Sequence, residues 1–85
     1  MMATLLGAFI RSARVGQRLT LQSLAARVGY RNQNKGATRI ERLERDGGAA
    51  TDLLDRVTFA LGLDQQTLAQ LAARDESNRQ ATFDA

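Results

Sequence analysis

The sequence predicts a single all-helical domain built from five helices. The chain of 85 residues contains no proline, and it is rich in alanine, leucine, arginine and glutamine, which favour helix. Its apolar residues recur at spacings of three and four, as they do on one face of a helix. Glycines follow four of these amphipathic runs, where a left-handed residue commonly ends a helix: Gly16, Gly29, Gly47 and Gly62. The composition, the apolar periodicity and the glycine positions therefore all predict the same fold class.

The first two predicted helices span about residues 4–15 and 21–28. The first carries an apolar stripe made of Leu6, Phe9, Ile10 and Ala13. The second begins after Thr20, a residue type that caps helix N-termini well. Leu19 and Leu24 lie on either side of this cap at the positions of a hydrophobic staple.

The last three predicted helices span about residues 33–45, 52–61 and 65–73, with Gln33 or Lys35 as the start of the third. Good N-cap residues precede the fourth and fifth helices, namely Thr51 and Asp64. After residue 73 the apolar pattern stops. We therefore expect a domain over residues 1–73, followed by a polar, frayed tail over residues 74–85.

Charge divides the chain into two unlike parts. Residues 11–45 carry nine basic and two acidic side chains, a net charge of +7. Residues 46–85 carry three basic and seven acidic side chains, a net charge of −4. The first part is therefore expected to attract phosphate groups.

The third predicted helix concentrates this positive charge. Lys35, Arg39 and Arg42 share one broad face, whereas Ile40 and Leu43 point to another. A helix with these two faces can dock on a domain and still present hydrogen-bond donors, as reading the DNA major groove requires. The alternative is a solvated face that pairs internally with Glu41 and Glu44.

Several function classes are not expected from the composition. The chain has no Cys and no His, so it lacks the usual nucleophiles, general bases and metal ligands; we expect no enzyme, no cofactor and no metal site. No apolar run approaches the roughly 18 residues of a membrane span, so a cytoplasmic protein is expected. Single-stranded partners are disfavoured because Tyr30 is the one aromatic residue in the basic part.

The order of these signals resembles the lambda-repressor/Cro-like (XRE-type) helix-turn-helix family over about residues 6–71. Three pieces carry the resemblance: Leu19-Thr20 with Leu24-Ala25 and Gly29, then Leu43-Glu44 with Gly47, then Ala60-Leu61-Gly62-Leu63. The resemblance implies a compact five-helix bundle with a recognition helix at about residues 33–45.

The resemblance also implies residue roles. Counting back from Leu43-Glu44, the family's base-reading positions fall on Ala37, Thr38 and Arg42. With their neighbours, the candidate base readers are Asn34, Lys35, Ala37, Thr38, Arg39 and Arg42. The candidate phosphate contacts are Thr20, Gln22, Arg31, Asn32, Gln33, Gly36 and Arg45. Arg14 and Glu44 match positions that form a structural salt bridge between the first and third helices.

The chain departs from the family pattern at two places. Leu21 stands where many members have Gln, although Gln22 follows it. In addition, Tyr30–Asn34 is an apparent insertion, so the turn between the second and third helices is extended. This insertion forms either a loop or an extra helical turn. Its polar residues either read the groove or only line a loop, and Tyr30 either packs over the second helix or stacks on a base.

The expected function is that of a sequence-specific double-stranded DNA-binding transcriptional regulator, most simply a repressor. One recognition helix reads only a few base pairs, so a homodimer on a two-fold symmetric site is expected. The alternative is the antitoxin of a toxin–antitoxin pair, which would bind and neutralise a partner protein and regulate its own operon.

Overall fold

The computed structural model describes residues 4–46 and 51–84, and the elements in these two ranges are all α-helices. They are α1 (Leu5–Gly16), α2 (Leu21–Val28), α3 (Gln33–Asp46), α4 (Thr51–Leu61) and α5 (Gln65–Asp84). The all-helical fold with five helices is confirmed. The glycine expected to end the third helix, Gly47, lies outside the described residues.

The core is assembled from one apolar face of each helix. The largest fully buried side chains come from α1 to α4, and they are Ile10, Leu24, Ile40, Leu43 and Val57. Leu68 adds a buried side chain from α5. The most extensive packing joins α2 to α3, while α1 contacts α3 and α5, and α4 rests on α2 and α1. As a result, α1 and α2 together cover the buried face of α3.

Most of the predicted helix ends are present. Thr20 Oγ1 accepts a hydrogen bond from the Ser23 N–H at 3.0 Å, which caps α2. Asp64 Oδ1 accepts one from the Gln66 N–H at 3.3 Å at the start of α5. Gly29 and Gly62 have φ angles of 106° and 68°, in the left-handed region that favours glycine. Thr51 is the first residue of α4 and does not precede the helix.

The first helix ends one residue later than predicted, and its left-handed residue lies two positions after the expected one. Gly16 is still helical, and the left-handed residue is Arg18, with a φ angle of 59°. The Leu19 N–H donates to the Arg14 carbonyl at 3.1 Å, and this closing bond requires the reversed backbone just before it. The turn after the helix therefore places a non-glycine residue, Arg18, in a conformation that is costly for an L side chain.

The predicted end of the fifth helix is also wrong, because α5 continues through the residues expected to fray and reaches Asp84. Asp75, in this segment, accepts hydrogen bonds from the Leu5 N–H at 2.8 Å and the Leu6 N–H at 3.0 Å. These amides lie in the first turn of α1 and have no partner within their own helix. A side chain from α5 therefore completes the N-terminus of α1.

Two further properties concern the described residues alone. None of the helices in this part of the chain is long and apolar enough to cross a bilayer. No cluster of three or more acidic, His or Cys side chains is present there that could hold a metal ion.

Candidate nucleic-acid interface

The recognition-helix candidate, α3, has two distinct faces. Its buried side consists of Gly36, Ala37, Ile40, Leu43 and Glu44. Its exposed side consists of polar and charged residues, among them Asn34, Lys35, Thr38, Arg39, Arg42 and Arg45. The apolar stripe that the sequence predicted is therefore docked, and most of the candidate base readers face solvent.

Three cations on the exposed side of α3 make no ion pair with any residue in the described part of the chain. They are Lys35, Arg39 and Arg42, and each is exposed. The neighbouring acid Glu41 is also exposed and takes part in no salt bridge there. The alternative, a face whose cations pair with Glu41 and Glu44, is therefore not observed in this part of the chain. The cationic groups are available to an external anion.

The apparent insertion is divided between a loop and the start of α3. Residues 29–32 connect α2 to α3, while Gln33 and Asn34 lie in the first turn of the helix. Asn32 is the cap, since its Oδ1 accepts a hydrogen bond from the Lys35 N–H at 3.1 Å. Its carboxamide oxygen is therefore engaged in the helix start. Its exposed neighbours Arg31 and Gln33 flank this cap on the surface.

Gly36 is a predicted phosphate contact, but it packs against its neighbours and its backbone is not presented to a phosphate. A Cβ at this position would lie 2.6 Å from the Tyr30 ring and 2.7 Å from the Ala25 Cβ. In addition, the Gly36 N–H donates to the Asn32 carbonyl at 3.0 Å. The half-buried Tyr30 thus packs over the junction of α2 and α3, in agreement with the packing interpretation of this residue.

The prediction that Ala37 reads a base is also wrong. Its side chain is 5% exposed and faces the core, so it cannot reach a base edge. The adjacent Thr38 is exposed, and its hydroxyl donates to the Asn34 carbonyl at 3.1 Å. This bond uses the hydroxyl hydrogen and leaves the methyl group and the oxygen lone pairs of Thr38 for an external contact.

The expected salt bridge between Arg14 and Glu44 is present and fixes α3 on α1. Arg14 Nε donates to Glu44 Oε2 at 2.7 Å, and Arg14 Nη2 donates to Glu44 Oε1 at 3.2 Å. The third donor, Nη1, reaches the Leu19 carbonyl at 2.8 Å, just before α2. The two side chains are only 12% and 7% exposed. A bidentate pair of this kind sets the orientation of the three helices relative to one another.

The remaining phosphate candidates lie on the surface at helix ends. Gln22 lies in the exposed first turn of α2. Thr20 is exposed, but its hydroxyl both caps α2 and donates to Ser23 Oγ at 2.9 Å. Arg45, near the end of α3, has its Nε 3.3 Å from the Asp46 carboxylate, and both side chains are about half exposed.

Two residues that fix how α1 packs, one against α3 and one against α5, were not identified from the sequence. Gly7 allows α1 to approach α3 so closely that an added Cβ would overlap the Glu44 carbonyl group and lie 2.9 Å from the Leu43 oxygen. Asp75 fixes the N-terminus of α1 from α5. The signal for Gly7 was a glycine within a helix next to its apolar stripe. No local pattern marked Asp75, because its partners lie about 70 residues away in the sequence.

Comparison of the chain with protein-family models, with curated protein sequences and with solved structures found no match in any of the three.

Proposed function

We propose that the protein is a sequence-specific regulator of transcription that binds double-stranded DNA, with a helix-turn-helix of the lambda-repressor-like type. The observation that carries this proposal is the pair of faces on α3. One face is docked on α1 and α2, and the other presents Lys35, Arg39 and Arg42 without an ion-pair partner in the described chain. A helix fixed in this way can enter the major groove as a rigid unit.

In this function, the side chains at the middle of the exposed face contact the bases. The Arg42 guanidinium forks onto the O6 and N7 atoms of a guanine, which is the commonest specific contact of this type. Thr38 offers its methyl group to a thymine or its oxygen to a base donor. Lys35 and Asn34 extend the readout toward the start of α3. A repressor would act simply by occupying its operator.

Affinity in this function comes mainly from cations placed against the phosphates on both sides of the groove. Arg31, Arg45 and the polar side chains at the start of α2 supply these contacts. Because one helix reads few base pairs, we infer that two copies bind a two-fold symmetric site. The exposed Phe59 on α4 is a candidate for the contact between the copies, since its side chain is 89% exposed.

Selection of preferred sites from random duplex DNA tests the proposal, with affinities then measured at physiological salt. We expect the best site to bind at least tenfold more tightly than random DNA, since specific regulators discriminate by far more than this. A ratio below tenfold would contradict a specific regulator.

The Arg42→Ala variant tests the assignment of the main base reader. We expect about 1–3 kcal/mol of lost affinity at the preferred site and a smaller loss on random DNA, because one bidentate base contact disappears. The same titrations with Arg56→Ala, a variant of an exposed arginine on α4, provide the control. An equal loss for Arg42→Ala on both DNAs would make Arg42 a phosphate contact.

The second candidate function is that of an antitoxin, in which the protein binds and blocks a toxin as well as its own operator. The feature that a protein partner would use is again Phe59, a large apolar side chain on α4 that is 89% exposed. A neighbouring reading frame whose product is held by the wild-type protein and released by Phe59→Ser would support this candidate.

A further inference from the structure

A groove lies between α1 and α3. The proposed function has so far given this groove no role. Its volume is about 1050 Å³ and it is widely open to solvent. One wall consists of Ala8, Arg11, Ser12 and Val15 on α1, and the other includes Arg45 on α3. Leu21, the first residue of α2, also borders the groove.

The cations in this groove that have nitrogens left for another partner are Arg11 and Arg45. Arg45 Nε lies 3.3 Å from the Asp46 carboxylate, which leaves its two Nη groups. Arg14 also lines the groove, but all three guanidinium nitrogens of Arg14 are engaged by Glu44 and the Leu19 carbonyl. Arg11 is exposed and forms no ion pair with any residue in the described ranges. The opposing charge that remains in the groove is Glu41, which is exposed and takes part in none of those salt bridges.

The groove is continuous with the exposed face of α3. Thr38, Glu41 and Arg45 follow one another at spacings of three and four residues, so they form one strip along the helix. The last two of them also line the groove. A duplex that places a base edge on Thr38 therefore brings one of its sugar-phosphate strands to the edge of the groove.

The wall of the groove on α1 allows a close approach. Ala8, Ser12 and Gly16 line it at successive four-residue spacings on α1, and none of them carries a long side chain. A Cβ added at Gly16 would meet nothing within 4 Å. A bulky chain can therefore lie against α1 beside the exposed Arg11.

We propose that this groove seats one sugar-phosphate strand of the DNA duplex and that Arg11 binds a phosphate there together with Arg45. The proposal rests on the proposed DNA-binding function and adds α1 to the surface that contacts the duplex. Glu41 lies at the same edge and, as an unpaired carboxylate in the described chain, limits the affinity by repelling the phosphates.

Titrations of random and preferred duplex DNA between 50 and 200 mM salt test this proposal on the full chain. For Arg11→Gln we expect the slope of log K against log salt to fall by about 0.9, which is the value for one lost phosphate contact. The advantage of the wild-type protein over this variant should then shrink about threefold between the two salt concentrations, equally on both DNAs. Arg11→Lys should keep the slope.

Two further variants separate a phosphate contact from general effects of charge and folding. Arg56→Gln removes the same charge from an exposed site on α4 and should leave the slope unchanged. Glu41→Gln should raise the affinity for both DNAs. If Arg11→Gln folds poorly, Arg11→Ala in its place gives the same comparison with Arg11→Lys, because both substitutions at Arg11 are made at an exposed site.

The outcomes distinguish this proposal from the function on which it rests. If Arg42→Ala weakens binding while Arg11→Gln behaves like Arg56→Gln, the groove does not hold DNA and only this proposal is overturned. The same conclusion follows if the groove variants alter the capture of a protein partner and not the binding of DNA. If the wild-type protein does not bind duplex DNA at all, both proposals are overturned.

Discussion

Two glycines of α1 have opposite surroundings, and this difference leads to a prediction at the scale of single residues. At Gly7, a methyl group would overlap the backbone of Glu44 and lie 2.9 Å from the Leu43 oxygen. Backbone cannot move aside as a flexible side chain can, so α1 and α3 would have to separate. We expect Gly7→Ala to lower the free energy of unfolding by about 1–3 kcal/mol, the usual cost of overpacking.

Gly16→Ala is the matched control for this prediction, because a Cβ at that position meets open space. Alanine favours helix over glycine by up to about 1 kcal/mol, so this variant should be as stable as the wild type or slightly more stable. Urea denaturation followed by circular dichroism measures both variants. An unchanged midpoint for Gly7→Ala would show that α1 and α3 do not pack as closely as described.

The sequence predicted the docked side of α3 better than its exposed side. Ile40 and Leu43 lie three residues apart, and extending their stripe by one turn toward the N-terminus reaches Gly36 and Ala37. Helical periodicity alone thus indicated that these two residues are buried. The resemblance instead gave Ala37 a base-reading role, through the count back from Leu43-Glu44, and Gly36 was a candidate phosphate contact. Helical periodicity separates buried from exposed positions, so it does not rank the exposed base-reading candidates against one another.

At the scale of helices, α5 contributes to the N-terminus of α1 through Asp75, and this contact can be tested. Asp75→Ala leaves the Leu5 and Leu6 amides without their carboxylate partner. Loss of such a helix cap typically costs about 0.5–2 kcal/mol. We expect a loss of stability in this range, together with faster hydrogen exchange at these two amides.

Glu76→Ala provides the comparison for the Asp75 variant, since Glu76 is the exposed neighbour on the same helix. It should leave the exchange of the α1 amides as in the wild type. Equal exchange at Leu5 and Leu6 in both variants would argue against the contact between α5 and α1.

Helix ends were predictable where a local residue sets them and not where a distant one does. Thr20 and Asp64 cap the helices that follow them through their own side chains, and the sequence identified both. The fifth helix was expected to stop where its apolar pattern stops. That rule failed because the segment after residue 73 is held through Asp75, a polar contact across the fold that leaves no apolar stripe in the sequence.

At the scale of the whole molecule, charge and apolar surface are divided between the helices. Residues 11–45, with a net charge of +7, run from within α1 almost to the end of α3, and α4 and α5 lie in residues 46–85, with a net charge of −4. Phe59 lies on α4 near the acidic residues Asp55 and Asp52, which precede it by one and two turns respectively. The same stretch of α4 carries Arg56, which pairs with Asp52 at 3.5 Å, so the two acids and this arginine have a net charge of −1 beside the exposed Phe59.

The last prediction concerns the contact between two copies. Burying a Phe side chain contributes about 1.5–3 kcal/mol, so Phe59→Ser should weaken a dimer at least roughly tenfold. Analytical ultracentrifugation without DNA should show a shift toward monomer for this variant, but not for Val15→Ser, which removes an exposed apolar side chain from α1. On a two-fold symmetric site, Phe59→Ser should bind each half-site independently, because α3 is unchanged. If both variants and the wild type have the same mass, Phe59 does not join two copies, and its exposure would then favour a different protein partner.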